Sequence, residues 1–161
     1  TPLTVLDLDA DVRQDPTFHR TAGERLGRDG CRVPLPWAKQ EPAYGFNGTG
    51  AAWLPQPQIF GELAVDQQAG VAGSTLELYR ELLALRRELG LGSGSLDFVE
   101  LGPDIVAFDV TGRTGRTAST RVVVNLGAEA WPLPDGSRLL AASDPSVASL
   151  LPPDCAAWLG L

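Results

Sequence analysis

Residues 74–89, STLELYRELLALRREL, form the clearest periodic element of this chain and divide it into two parts of different texture. Ser74 is a favourable N-cap, and Glu77 three positions on completes the pattern of a capping box. Leu78, Leu82, Leu85 and Leu89 recur at helical spacing and draw one apolar stripe. Leu76, Tyr79 and Leu83 widen it. Arg86 and Arg87 fall in the last turn, where cations suit the negative end of the helix dipole. Gly90 follows as the residue that lets a chain leave a helix through the left-handed region. The pattern predicts a helix over 74–89 with a broad buried face. The run GLGSGS, 90–95, then reads as a flexible junction. Its G-x-G follows a helix where a dinucleotide fingerprint would need a strand-to-helix turn.

Residues 1–73 show no sustained periodicity. They hold many prolines, many glycines and short apolar clusters. LTVLDLDADV alternates weakly and reads as strand or irregular chain. From Arg20 to Gly73 almost everything reads as loop. A loop of that length is uncommon inside a compact domain, and where it occurs it is usually functional or leans on a partner. After the junction the texture becomes β. LDFVEL (96–101), DIVAFDV (104–110) and TRVVVNL (120–126) alternate or run β-branched between turn residues. Gly102-Pro103 predicts a hairpin between the first two, and RTGRTAS (113–119) a longer exposed loop. SRLLAAS (137–143) and CAAWLGL (155–161) are the expected closing strands. Such a sheet is too short for a comfortable independent core and is expected to pack on something else.

Composition narrows the function. The formal net charge is -7 and the pI about 4.6, which argues against nucleic acid and against an anionic membrane surface. A neutral or small ligand fits better. No run approaches the roughly 18 apolar residues of a membrane span. The two cysteines, Cys31 and Cys155, lie far apart, so free buried thiols and a bacterial cytoplasmic location are expected. The sequence contains no methionine and begins at Thr1, so it is expected to be a processed chain or a piece of one.

Few residues can carry chemistry. His19 is the single histidine, and no serine near it sits in a recognisable elbow. One histidine and two distant cysteines give no metal-ligand spacing, and no cofactor is implied. Asp7, Asp9 and Asp11 recur at period two, as on a solvated acidic face. That leaves GRDGCRVPLPW, Gly27 to Trp37. An arginine stiffened by prolines and a tryptophan is a preorganised fork of donors, suited to a carboxylate or to two sugar hydroxyls at once. Equally, Arg28 and Arg32 can pair with Asp29 and merely brace a loop. Spacing alone leaves both readings open.

GRDGCRVPLPW, then GFNGTGAAWLP, then STLELYRELLALRREL, with QDPTFHR upstream, resembles the C-terminal part of α-glucosidases of the α-amylase superfamily. In that family an R-D-x-x-R-T-P-M-x-W run lies in the long loop after the eighth barrel strand. A Gly-Phe and a second tryptophan follow, here Gly45, Phe46 and Trp53. The last barrel helix and a small β-sandwich come next.

The resemblance implies an α+β piece with three parts. Residues 1–73 would be the irregular β8–α8 segment of a (β/α)8 barrel, 74–92 the last barrel helix and junction, and 93–161 a C-terminal antiparallel β-sandwich. It implies a retaining glycosidase acting on short α-glucosides, with the remainder of the barrel as partner. The catalytic aspartate and glutamate would lie on earlier strands, so no catalytic residue is expected in this chain. By position, Arg28 would hydrogen-bond the terminal glucose, Asp29 would orient Arg28, Arg32 would brace the loop, and Trp37 would stack on a sugar or pack beneath the loop. Val33, Leu35 and Pro36 depart from the family's usual Thr, Met and polar residue. Trehalose synthases and sucrose-cleaving enzymes share the R-D-x-x-R run, and non-catalytic relatives exist as structural modules.

Overall fold

The computed structural model describes residues 5, 7–112 and 119–161. They form two compact units, residues 1–69 and 70–161.

The first unit is built from turns. Among the described residues it contains two short helices, α1 (Pro16–Arg20) and α2 (Val65–Gln68), and four 3-10 turns. The stretch around Val5–Val12, which the sequence leaves open between strand and irregular chain, carries a 3-10 turn at Ala10–Val12 and no strand among its described residues. Its core is small: Leu8, Val33, Leu54 and Phe60, flanked by Val12 and Tyr44. Several large apolar residues stay about half exposed, among them Leu35, Trp37, Phe46, Trp53 and Ile59. With so little core, polar ties carry much of the order in this unit.

The second unit opens with α3 (Thr75–Glu88). Ser74 Oγ accepts the Glu77 N–H at 3.2 Å, as the N-cap pattern predicts. The Glu77 carboxylate takes the Gly70 N–H at 2.8 Å and the Arg80 guanidinium at 2.6 Å. Gly90 is left-handed, with φ 64°. Among the described residues seven strands follow: β1 (Ser95–Glu100), β2 (Ile105–Thr111), β3 (Ser119–Asn125), β4 (Trp131–Pro132), β5 (Arg138–Ala142), β6 (Leu150–Leu151) and β7 (Cys155–Gly160). Five make an antiparallel sheet in the order β1-β2-β3-β7-β5, and β4 pairs with β6. The β1–β2 hairpin forms as Gly102-Pro103 predicts. The loop 113–119 lies almost wholly outside the described residues.

Period two sorts the sheet into faces. Ala107, Val123, Ala157 and Leu159 face the 131–151 connection and pack with Leu133, Val147 and Leu151. On the other face, Phe98, Phe108, Val122 and Trp158 form one register row across four strands. That face borders α3 across an apolar groove of about 450 Å³. Helix α3 buries none of its residues fully, and Tyr79 is 64% and Phe98 78% exposed. The broad buried face predicted for this helix is therefore only partly covered in this chain.

Candidate functional site

The stretch Gly27–Trp37 is held from both ends. At its start stands α1, whose N-terminus follows from Asp15-Pro16. Proline suits the first helical position because its missing N–H would be unpaired there anyway, and aspartate caps the next free donor. Asp15 Oδ1 accepts the Thr17 N–H at 2.8 Å. Its other oxygen, Oδ2, accepts the backbone N–H of Arg28 at 3.0 Å, thirteen residues on. Gly27 makes that approach feasible. It has φ +70°, and a Cβ there would lie 2.6 Å from Asp15 Cβ and Cγ.

Asp29 is fully buried in a 3-10 turn, Asp29–Cys31. Its Oδ2 accepts the N–H groups of Gln14 at 3.0 Å and Asp15 at 2.9 Å. Its Oδ1 takes Arg32 Nη1 at 3.1 Å, and Arg32 Nη2 reaches Asp15 Oδ2 at 3.4 Å. The Arg32 fork therefore spans two buried carboxylates. Two such charges side by side need a cation between them, and a planar guanidinium supplies it.

The sequence-based expectation that Asp29 orients Arg28 meets a different geometry. The Asp29 carboxylate is taken up by two backbone amides and Arg32. The carboxylate beside Arg28 is Asp15, with Arg28 Nε 3.7 Å from Oδ2. The reason is local: in a 3-10 turn a side chain meets the residue three positions on, so Asp29 faces Arg32 and not its neighbour. The Arg28 side chain is 80% exposed, leaving its fork turned to solvent.

The far end of the stretch is anchored by Val33 in the small core and by Gln56, whose amide donates to the Pro34 carbonyl at 3.0 Å. Trp37 and Ala38 N–H both donate to the Tyr44 carbonyl, at 2.7 and 3.0 Å. Ala43 and Tyr44 adopt left-handed φ of 46° and 50° to bring that carbonyl round. The Trp37 ring stays half exposed.

The arrangement can present donors but is poorly suited to acid catalysis. Glycoside cleavage needs one carboxyl group held protonated near neutral pH. Asp15 is pushed the other way, to about 2, chiefly by the Thr17 N–H and then by the Arg28 N–H, against the opposing effect of its burial. His19 joins its ring to the Arg13 carbonyl at 3.0 Å and packs edge-on against Phe18. Asp7, Asp9 and Asp11 are exposed. Among the described residues, no three His, Cys, Asp or Glu side chains gather to hold a metal. No helix among them is long and apolar enough to cross a membrane. Sequence reasoning missed Asp15. The Asp-Pro pair was its available signal, as an N-cap followed by an N1 proline.

The chain is similar to known proteins. The family described as alpha amylase, catalytic domain, matches residues 7–91, ending three residues beyond α3. A protein of Rhizobium meliloti (strain 1021) described as "Probable alpha-glucosidase" is 36% identical over 107 residues. That match covers 66% of this chain and 19% of the relative. An alpha-glucosidase of Candida albicans is 36% identical over 80 residues, 50% of this chain and 14% of the relative. The crystal structure of an alpha-glucosyl transfer enzyme, XgtA, superposes with a TM-score of 0.73 at 26% identity, covering 96% of this chain and 30% of that one. The chain thus spans less than a fifth of the length of these curated relatives.

Proposed function

Because the chain belongs to the α-amylase family, we propose that it forms the C-terminal part of a longer α-glucosidase, supplying one wall of the sugar pocket. Residues 1–73 are the loop segment after the eighth barrel strand, 74–92 the last barrel helix with its junction, and 93–161 the C-terminal β-sandwich domain. The enzyme retains configuration and removes terminal α-linked glucose from short oligosaccharides. Its nucleophile and acid/base lie on earlier strands, outside this chain. The half-exposed Leu35, Trp37, Phe46, Trp53 and Ile59, and the uncovered Phe98, are then surfaces for the remainder of the barrel.

One observation carries the reading: the Arg28 guanidinium is exposed on a backbone whose N–H is held by the buried Asp15 carboxylate. A fixed, exposed fork of donors loses little freedom on gripping a sugar hydroxyl pair. In the intact enzyme it contacts the terminal glucose, and Trp37 lines the pocket's rim. Glucosyl transfer is the second reading, favoured by the likeness to XgtA, and product analysis with maltose separates it from hydrolysis. The test is Arg28→Ala in the intact enzyme. Loss of orientation and of fixed positive charge lowers kcat/KM by about 10²-fold or more. An enzyme of near-normal activity would return the loop to a bracing role. The 161-residue chain alone, assayed beside the intact enzyme on a chromogenic α-glucoside, is expected to be inactive.

A further inference from the structure

We propose that Asp15 is the positioning residue for Arg28, a role that rests on the reading of Arg28 as the glucose contact. Three observations carry it. Asp15 Oδ2 fixes the Arg28 backbone through its N–H at 3.0 Å and lies 3.7 Å from Nε of the same residue. One carboxylate oxygen thus holds the Arg28 backbone N–H and lies within ion-pair distance of Nε, and among the described residues the two terminal nitrogens of the fork stay free to donate. Asp15 is itself held: only 2% exposed, its N–H bonded to Asp29 Oδ2 and its Oδ1 to Thr17. Gly27 lets this carboxylate pack directly against the backbone before Arg28, since a Cβ there would lie 2.6 Å from Asp15 Cβ and Cγ.

The geometry therefore runs as a chain of supports. Arg32 joins Asp29 to Asp15, Asp29 holds the backbone that carries Asp15, and Asp15 holds Arg28. Asp29 acts one step further back than its sequence neighbour would suggest. Orientation of a binding group is worth most when the group itself contacts the substrate, because small misplacements then reach the transition state directly.

A double-mutant cycle in the intact enzyme tests this, with kcat and KM measured well below the melting temperature of each variant. Asp15→Asn is expected to lower kcat/KM by about 10-fold, as a misplaced binding group would. Arg28→Ala is expected to be lower still, and the double variant Asp15→Asn/Arg28→Ala no lower than Arg28→Ala alone. That non-additivity is the signature of one residue acting through the other. Losses that multiply in the double variant would overturn the positioning role while leaving Arg28 as a glucose contact. Full activity in Asp15→Asn would overturn it as well. Full activity in Arg28→Ala would instead remove the glucose reading, and the positioning role with it. Should the Asn variant not fold, Asp15→Ser carries the same cycle. Serine keeps an N-cap acceptor for Thr17 but cannot reach Arg28.

Discussion

The Asn125 side-chain amide donates to the Leu151 carbonyl at 2.9 Å, across 26 residues of sequence. The same amide donates to the Glu129 carbonyl at 2.8 Å, and its oxygen accepts the Gly127 N–H at 2.9 Å. Asn125 ends β3 with 1% exposure. It thereby fastens the turn at 127–129 and strand β6 to the end of β3, beside the core.

Asn125→Ala is therefore expected to destabilise the second unit by about 3 kcal/mol or more. It strips the donor from the buried Leu151 carbonyl and unpairs the half-buried Glu129 carbonyl and Gly127 N–H, and a buried group left unpaired costs about 1–3 kcal/mol. The shift of the urea midpoint measures it. A change within experimental scatter would mean that water replaces the amide freely.

Thr120 poses the opposite case. Its hydroxyl is buried with no hydrogen-bond partner among the described residues, on the sheet face that borders the apolar groove. Thr120→Val exchanges an unpaired polar atom for a methyl group. The substitution is expected to raise stability by about 1 kcal/mol, since an unsatisfied buried hydroxyl costs that order of free energy. Thermal melting of the two chains decides it, and a lower melting temperature would reveal a partner for the hydroxyl.

Asp15 also predicts an acid limb of stability. Its carboxyl is held at about 2 in the folded chain, below the ordinary 3.8, first by the Thr17 N–H and next by that of Arg28. A folded-state pKa below the unfolded one stabilises the fold above the unfolded value. That contribution is lost as pH falls through the folded value. Stability should thus be level above about pH 4 on this account and fall between about pH 4 and about pH 2. Glu77, Asp109 and Asp144 are also lowered, by the Gly70 amide, the Arg121 guanidinium and the Ser146 hydroxyl respectively. The diagnostic is accordingly the difference between the wild-type chain and Asp15→Asn in urea midpoints from pH 5 to pH 2. The difference should shrink as Asp15 protonates. A constant difference over that range would show that the carboxylate's charge contributes nothing.

Much of the second unit is readable before folding because its signals are local. Ser74 and Gly90 bracket α3, and the Leu stripe sets its period. The β-branched run at 120–126 and the Gly102-Pro103 turn declare β3 and the first hairpin. The two-residue strands β4 and β6 carry no such signal. They exist only because Trp131 and Leu151 are brought opposite one another, and Asn125 helps to bring them there. Likewise the cross-strand pair of Arg121 and Asp109, in which Nε and Nη2 donate to the two carboxylate oxygens at 2.7 and 2.9 Å, depends on a register that neither strand specifies alone.

In the first unit the sequence by itself determined which side chains could do chemistry. Only the Gly27–Trp37 run combines arginine forks with a stiff backbone, and its order relative to the capped helix carries the family resemblance. Which carboxylate meets which arginine was decided by the tertiary structure alone. Asp29 stands next to Arg28 in sequence, yet a 3-10 turn carries its side chain to Arg32 and into the interior. Asp15, thirteen residues upstream, fills the position beside Arg28 because a capped helical turn and a left-handed glycine bring the two segments together. Sequence adjacency constrains only backbone distance. The direction of a side chain, and hence its partner, follows from the dihedral angles that the surrounding packing selects.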